Sequence, residues 1–387
     1  MILLFCAAGI IAGIIAGLIP GIHTNNIAVL LATSPIFGIE ATAFILSMCT
    51  VQVFIDFIPS IFIGAPSETT FEAILPAHKM FLDGRAYEAI CYTTFGAIIA
   101  IIAGALLTPV FFLFIEQNST EIMKSTPAVL AFALIIFVIH EKGWKSKITA
   151  VFVIIAAATQ GYLFTNQIFP LITGYFGIAG TAYSLKDKIT PVKQILNAEV
   201  SVLAIKEALI GLAGGTIVSV MPGIGSNTAG GIINTFRNES GHKNYLAMLG
   251  AINASNFFFS FSILFALSKA RNGGMLVLAE KIIATPQTLF YGTIIMLICA
   301  GIGGLAALTL AKKATKIFDE KLIHKASIGA IILMICLVIA FNGINGLIAL
   351  IFSTALGLFV LTQKVHRSLC MSALIVPVLF FYIFILI

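Results

Sequence analysis

Charge is scarce in this sequence. Asp, Glu, Lys and Arg make up 10% of its 387 residues, where soluble domains carry about 25%. A surface with so few charges does not stay wet, which excludes a water-soluble fold. Paired cysteines are missing as well. Cys6, Cys49, Cys91, Cys299, Cys336 and Cys370 stand singly in or beside apolar stretches, with no CxxC among them. Neither a disulfide framework nor a metal centre is expected, and these thiols read as small apolar packing residues. Catalytic signatures are also absent: there is no GxSxG, HExxH, Walker loop or GxGxxG ahead of a strand. The chain is therefore not expected to be an enzyme, and ATP is not its direct energy source. The formal net charge of +6 does not point to nucleic acid. The basic residues are scattered through short connecting segments, as the positive-inside bias of membrane proteins requires.

What is present is hydrophobicity. Apolar residues reach 59% and the mean hydropathy is +1.08. In lipid every backbone N–H and C=O must be paired within the chain, which leaves helices or a closed barrel. Long apolar runs such as 98–115 and 328–340 lack the alternation of a barrel strand. The expected fold is an all-α polytopic protein, multi-pass in the cell membrane. The first segment has no basic n-region and no A-x-A site before Pro20, so it is expected to be structural and not a signal peptide.

The chain repeats itself. Gly9/Gly211, Gly13/Gly215, Ile15/Ile217, Pro20/Pro222, Gly21/Gly223, Ile22/Ile224 and Asn25/Asn227 are identical at a constant offset of 202, and Thr24/Ser226 is a hydroxyl pair. Gln52-Val53-Phe54 resembles Asn256-Phe257-Phe258 after two inserted residues. We read residues 1–190 and 191–387 as two transmembrane repeats. Each has a glycine-spaced helix (2–19; 199–221), a short apolar segment (26–38; 227–236) and a long helix (41–63; 244–268). A short polar-flanked piece follows (66–83; 273–284), then a long helix (88–116; 286–311) and three further spans (125–140, 148–164, 167–183; 326–341, 344–361, 369–387). Several spans fall below the roughly 20 residues needed to cross a bilayer, so broken or re-entrant helices are expected. Loop charge sets the orientation. The basic segments 140–147, 186–193 and 312–325 belong in the cytoplasm, and the acidic loop 115–121 belongs outside. The span 88–116 then runs outward and its partner 286–311 inward, the inverted-repeat plan of secondary transporters.

The chemistry is expected at the helix breaks. Pro20-Gly21 and Pro222-Gly223 end apolar helices, and the runs His23-Thr24-Asn25-Asn26 and Gly225-Ser226-Asn227-Thr228 are good N-caps for fresh helices. Free N–H groups and the positive dipole end there suit an anionic group. The substrate-binding residues are accordingly read as Pro20, Gly21, Thr24, Asn25, Pro222, Gly223, Ser226 and Asn227. A second helix start at Ser67-Glu68-Thr69-Thr70 adds Ser67. Its counterpart, 268–274, carries Lys269 and Arg271 where the first half has carboxylates, as an anion site beside a cation site requires. With Lys281 these residues form a basic group on the outer side. Asp56 lies mid-span with Gln52 one turn earlier, and a carboxylate inside a membrane is by default functional. Asp56, Glu68, Asn253 and Asn256 are read as ion-coupling residues, against the plainer readings of a helix cap for Glu68 and an internal hydrogen bond for Asp56. Gly301-Ile302-Gly303-Gly304 reads as a helix-packing face.

At Gly13…Pro20-Gly21-Ile22 and Gly215…Pro222-Gly223-Ile224-Gly225 the sequence resembles the TctA family, the large membrane subunit of tripartite tricarboxylate transporters. The stretch Pro76-Ala77-His78-Lys79…Asp83-Gly84-Arg85-Ala86…Ala89 resembles the family segment before its long helix. The resemblance covers both halves. It implies a secondary carrier of citrate-like carboxylates driven by a sodium or proton gradient, with a small membrane subunit and an extracytoplasmic binding protein as partners. Besides these, the expected partners are the lipid bilayer and a small organic anion, and homo-oligomeric assembly stays open. No cofactor is expected beyond coupling Na+ or H+. Two other classes remain at this stage. A polyprenyl-phosphate or other lipid-phosphate translocase would also use re-entrant Pro-Gly hairpins and the cations Lys269 and Arg271. A membrane enzyme acting on lipids would have only His23, Asp56 and Glu68 to work with.

Overall fold

The computed structural model describes residues 1–20, 34–64, 70, 73–185, 192–221, 225–235, 241–270, 272–317 and 320–386. Among them there is no strand. In the N-terminal half α1 (Ile2–Leu18) precedes α2 (Gly38–Ile55) and its short continuation α3 (Phe57–Phe62). Then come α4 (Ile74–Leu82), α5 (Ala86–His140), α6 (Trp144–Leu163), α7 (Ile168–Ile172), a π-helical turn (Thr173–Ile178) and α8 (Ala179–Ser184). The C-terminal half holds α9 (Leu203–Val220), α10 (Ser226–Thr235), α11 (His242–Leu267), α12 (Gly273–Lys281), α13 (Pro286–Ile317) and α14 (Glu320–Gln363), which is kinked at Gly343. A 3-10 helix (Arg367–Met371) and α15 (Ser372–Leu386) complete it. Eight helical stretches among the described residues are long and apolar enough to cross a membrane. This is a multi-pass membrane protein.

Local chemistry sets the boundaries. Pro59 has no N–H to give to the carbonyl of Ile55, so α2 is interrupted at Asp56 and resumes as α3. Asn272 caps α12, its side chain accepting from the Met275 amide at 2.9 Å, and Thr285 caps α13 through the Thr288 amide at 3.2 Å, with Pro286 in the first helical position. Gly143 and Gly343, at φ 89° and 61°, make the turns before α6 and between the two arms of α14, where a side chain would be strained.

One expectation fails. The loop 115–121 and the separate spans on either side of it are a single 55-residue helix, α5. At 1.5 Å per residue that is about 80 Å of helix, too long for an up-and-down pair. The polar stretch 116–126 contains no glycine, and its side chains serve the helix. Asn118 Nδ2 donates to the Phe114 carbonyl, Thr126 Oγ1 donates to the Ile122 carbonyl, and Lys124 pairs with Glu121 at 2.8 Å. The segment 140–147 therefore does not lie where a hairpin would have returned it, and it no longer informs the orientation.

Between lipid-embedded helices the hydrophobic effect offers little, so close packing must hold them together, and small residues permit it. A Cβ on Gly9 or Gly13 of α1 would overlap the carbonyl oxygens of Phe44 and Met48 on α2. A Cβ on Gly211 or Gly215 of α9 would overlap those of Met248 and Ile252 on α11. The central crossing is tighter still: Gly96 of α5 rests on the main chain of Ala247, and Gly250 of α11 on that of Thr93. Of the expected small-residue face on α13, Gly303 packs on Val51 and Phe54 and Gly304 on Ile98, while Gly301 faces open space. The halves thus interlock, α5 of one against α11 of the other, and α13 against α2. α2 and α11 are almost wholly enclosed, while Leu106, Val110, Leu113 and Phe114 of α5 and Leu305 of α13 face outward.

Two apolar clusters result. The larger gathers α2 to the first part of α5 with α9 to α13 and the first arm of α14. The smaller joins Leu130 and Phe137 of α5 to α6, the π-helical turn, the second arm of α14, the 3-10 helix and α15. Both halves contribute to both clusters, and α5 runs through the two.

Candidate functional site

α9 stops at Val220, and Met221 turns to extended backbone (φ −87°, ψ 115°) just ahead of Pro222, as the residue before a proline must. Pro222 and Gly223 themselves lie outside the described residues. On the far side α10 begins at Ser226 and doubles back. Gly214, eight residues before the proline, meets Ile233, eleven after it, and Gly230 meets Leu249 of α11. The broken helix expected here is therefore two helical segments, α9 and α10, that pack back on one another.

The start of α10 is lined with buried polar groups. Ser226, Asn227 and Thr228, the first turn of α10, are all buried. Asn256 on α11 donates from Nδ2 to Ser226 Oγ at 3.0 Å. Two residues drawn from different sequence signals, a cap and a mid-span amide, thus meet. Asn256 is itself held in place: a Cβ on Gly215 would lie 3.0 Å from its backbone nitrogen, and Ser260 Oγ donates to its carbonyl at 2.6 Å. Asn253 stands one turn away on the same helix and is buried too. Thr228 was legible only as part of the capping run, yet it is fully buried and its hydroxyl has no hydrogen-bond partner. A buried polar atom left unsatisfied is costly and marks a place where a ligand or water completes the structure. The first N–H groups of a helix likewise have no intrahelical partner.

In the first half Pro20 ends α1, while Gly21, Thr24, Asn25, Ser67 and Glu68 lie outside the described residues, as does Arg271 in the second. Asp56 is described, at 5% exposure. It sits at the α2–α3 interruption, where a Cβ on Gly17 of α1 would lie 3.2 Å from its amide nitrogen. That places it beside the end of the helix that Pro20 terminates, as Asn256 stands beside α9. Its main chain is spoken for, the amide by Gln52 O at 2.9 Å and the carbonyl by Ser60 Oγ at 3.1 Å.

The comparison with known proteins now bears on the whole length of this arrangement. A model of the tripartite tricarboxylate transporter TctA family matches residues 3–372. The chain belongs to that family. An uncharacterized protein of Methanocaldococcus jannaschii is 26% identical over 397 residues, covering 98% of this chain and 99% of that one. No solved structure matches.

Within this TctA-family chain two of the three outer basic residues, Lys269 and Lys281, are described, and each has a contact of its own. Lys269 is exposed and its Nζ lies 3.2 Å from Met123 Sδ on α5. Lys281 is buried elsewhere, donating to the Ser34 carbonyl at 2.7 Å with its ammonium 4.0 Å from the centre of the Phe37 ring. It fastens α12 to the segment leading into α2. Among the described residues no group of three or more His, Cys, Asp or Glu is placed to hold a metal ion.

Proposed function

We propose that this TctA-family protein is the permease subunit of a secondary carrier for small organic anions of the di- and tricarboxylate class. The anion is held at the tip of the α9–α10 hairpin and at its counterpart after α1. The observation that carries the reading is the buried polar tip: the Asn256–Ser226 bond and the unpartnered Thr228 hydroxyl stand at the N-terminal end of α10, where free amides favour negative charge. Family membership supports tricarboxylates as the cargo class. It also supports two partners, a small membrane subunit and an extracytoplasmic binding protein that delivers the anion.

We assign ion coupling to Asp56. A buried carboxylate beside the first helix break suits Na+ or a proton, and no nucleotide-binding motif offers another energy source. We take the two halves as repeats of inverted topology. The matched glycine-on-carbonyl contacts of α1 on α2 and α9 on α11, and the reciprocal packing of α5 on α11 and α13 on α2, support a pseudo-two-fold relation.

The test is thermal stabilisation of the purified, detergent-solubilised protein by citrate, succinate and polyprenyl phosphate, each with and without sodium. A ligand that binds only the folded state raises the melting temperature. We expect a rise with the carboxylates, larger in sodium, and its loss in Asn227→Leu. A rise with the lipid phosphate alone would assign the site to a lipid carrier instead.

A further inference from the structure

We propose that the protein binds a lipid with an uncharged, hydroxyl-rich headgroup in a cavity between the end of α6 and the turn of α14. That turn reverses the chain. A Cβ on Gly177 of the π-helical turn would overlap Met334 of the first arm, and one on Gly174 would overlap Ser353 of the second. On a straight helix Met334 and Ser353 would stand roughly 28 Å apart, so Gly343 folds the two arms side by side. Each arm, 320–342 and 344–363, then has the length of one span, as does α6 with its 20 residues. The end that they share, where the residues after α6 meet Asn345 and Gly346, therefore lies at one face of the bilayer.

At that end is a cavity of about 450 Å³, the size of a small-molecule site. Thr165, Asn166, Gln167 and Asn345 line it, with Phe164 and Ile348. No lining residue is charged. The two stretches that meet here, 148–185 and 326–363, contain no Asp, Glu, Lys or Arg at all. A charged ligand would lose its water here and gain no counter-charge. What the walls offer is hydrogen bonding of both kinds. Each Asn or Gln amide carries an acceptor oxygen and two N–H donors, which suits hydroxyl groups, because they both donate and accept. Gln167 Oε1 is closed off from solvent, 3.3 Å from where a Cβ on Gly346 would stand, and has no hydrogen-bond partner. The wall thus holds an acceptor that the protein itself leaves unused, at a cost in free energy.

The rim favours a lipid over a free sugar. Leu163 and Ile348 are exposed beside the polar lining, and so are their neighbours Tyr162 and Ile344. Phe164 pairs with Phe352, and Phe169 with Phe341, at ring distances of 6.2 and 6.4 Å. Aromatic rings at the ends of spans mark the headgroup level of a membrane. A headgroup seated among the amides leaves its chains against the apolar rim, in the hydrocarbon. The plainer role for the cavity is a notch filled by water, which would prefer no one lipid to another.

The experiment takes the intact protein in a detergent without a sugar headgroup and reads its melting temperature against monoglucosyl diacylglycerol, phosphatidylglycerol, diacylglycerol and free glucose. A ligand that binds only the folded state raises that temperature. We expect a rise with the glucosyl lipid that the other three do not match. Gln167→Leu and Asn345→Leu should each weaken the apparent affinity for the glucosyl lipid by about 2- to 10-fold, the size of one neutral hydrogen bond. If Gln167→Leu does not accumulate, Asn345→Leu decides, since that position is exposed. An equal rise with phosphatidylglycerol or diacylglycerol overturns the proposal, as does no response to any of the four. A rise with glucose as large as with the glucosyl lipid overturns the assignment to a lipid. A glucosyl-lipid response left intact in both variants places its binding elsewhere and sinks this cavity as the site.

Discussion

The two helix pairs α1–α2 and α9–α11 are built alike and charged differently. In both, a glycine pair spaced by four residues presses onto carbonyl oxygens of the next long helix, Gly9 and Gly13 on Phe44 and Met48, Gly211 and Gly215 on Met248 and Ile252. About two turns past the contact the pairs diverge. The first places Asp56 beside the end of α1, and the second has Ser260 at the corresponding position, bonded to the Asn256 carbonyl. Packing tolerates no change where main chains touch, so it repeats. Charge can be added to one copy alone, where no main-chain contact constrains the side chain.

The comparison can be broken or sharpened in order of effect. Gly96→Val and Gly250→Val place a branched side chain into the backbone of the facing helix. Each should cost about 3 kcal/mol or more, the upper end of overpacking, and should be seen as loss of the monodisperse peak on size exclusion in detergent. Next, Gly13→Leu and Gly215→Leu should lower the melting temperature by similar amounts, at about 2 kcal/mol each. A large inequality would mean that the two contacts are not equivalent. Then Asp56→Asn should make citrate uptake into proteoliposomes indifferent to an imposed sodium or proton gradient, while Ser260→Ala leaves the dependence intact. An undiminished gradient response in Asp56→Asn removes Asp56 from coupling. Smallest of all, Glu121→Gln breaks an exposed pair with Lys124 and should shift stability by under about 0.5 kcal/mol.

Composition made the helices and the membrane legible, because a 10% charge content leaves lipid as the only solvent. Pro-Gly marked the breaks, since proline removes a helix hydrogen bond and the glycine after it frees the backbone to turn, whereas Pro109 and Pro127, with no glycine following, stay inside α5. Ser226 and Asn256 were each marked by a separate signal, a cap and an intramembrane amide, and their meeting is seen only in the structure. Other features were not legible for physical reasons. The polar stretch 116–126 looked like a loop, because polarity and helicity are independent once side chains such as Asn118 and Thr126 bond back to their own helix. The doubling back of α10 depends on Gly214 and Gly230 meeting Ile233 and Leu249, contacts that no local pattern encodes. Lys269 was read as a site residue, and the structure shows its ammonium at an exposed position beside Met123.

The crossing of α5 and α11 has a mechanical consequence. Where side chains interdigitate, helices can slip by a rotamer change. Gly96 and Gly250 leave no side chain to rearrange, and a shift of one residue would drive Phe95 or Ala97 on one helix, Leu249 or Ala251 on the other, into a peptide unit. This junction is therefore a rigid seam between the halves, and the 55-residue α5 continues from it into the second cluster.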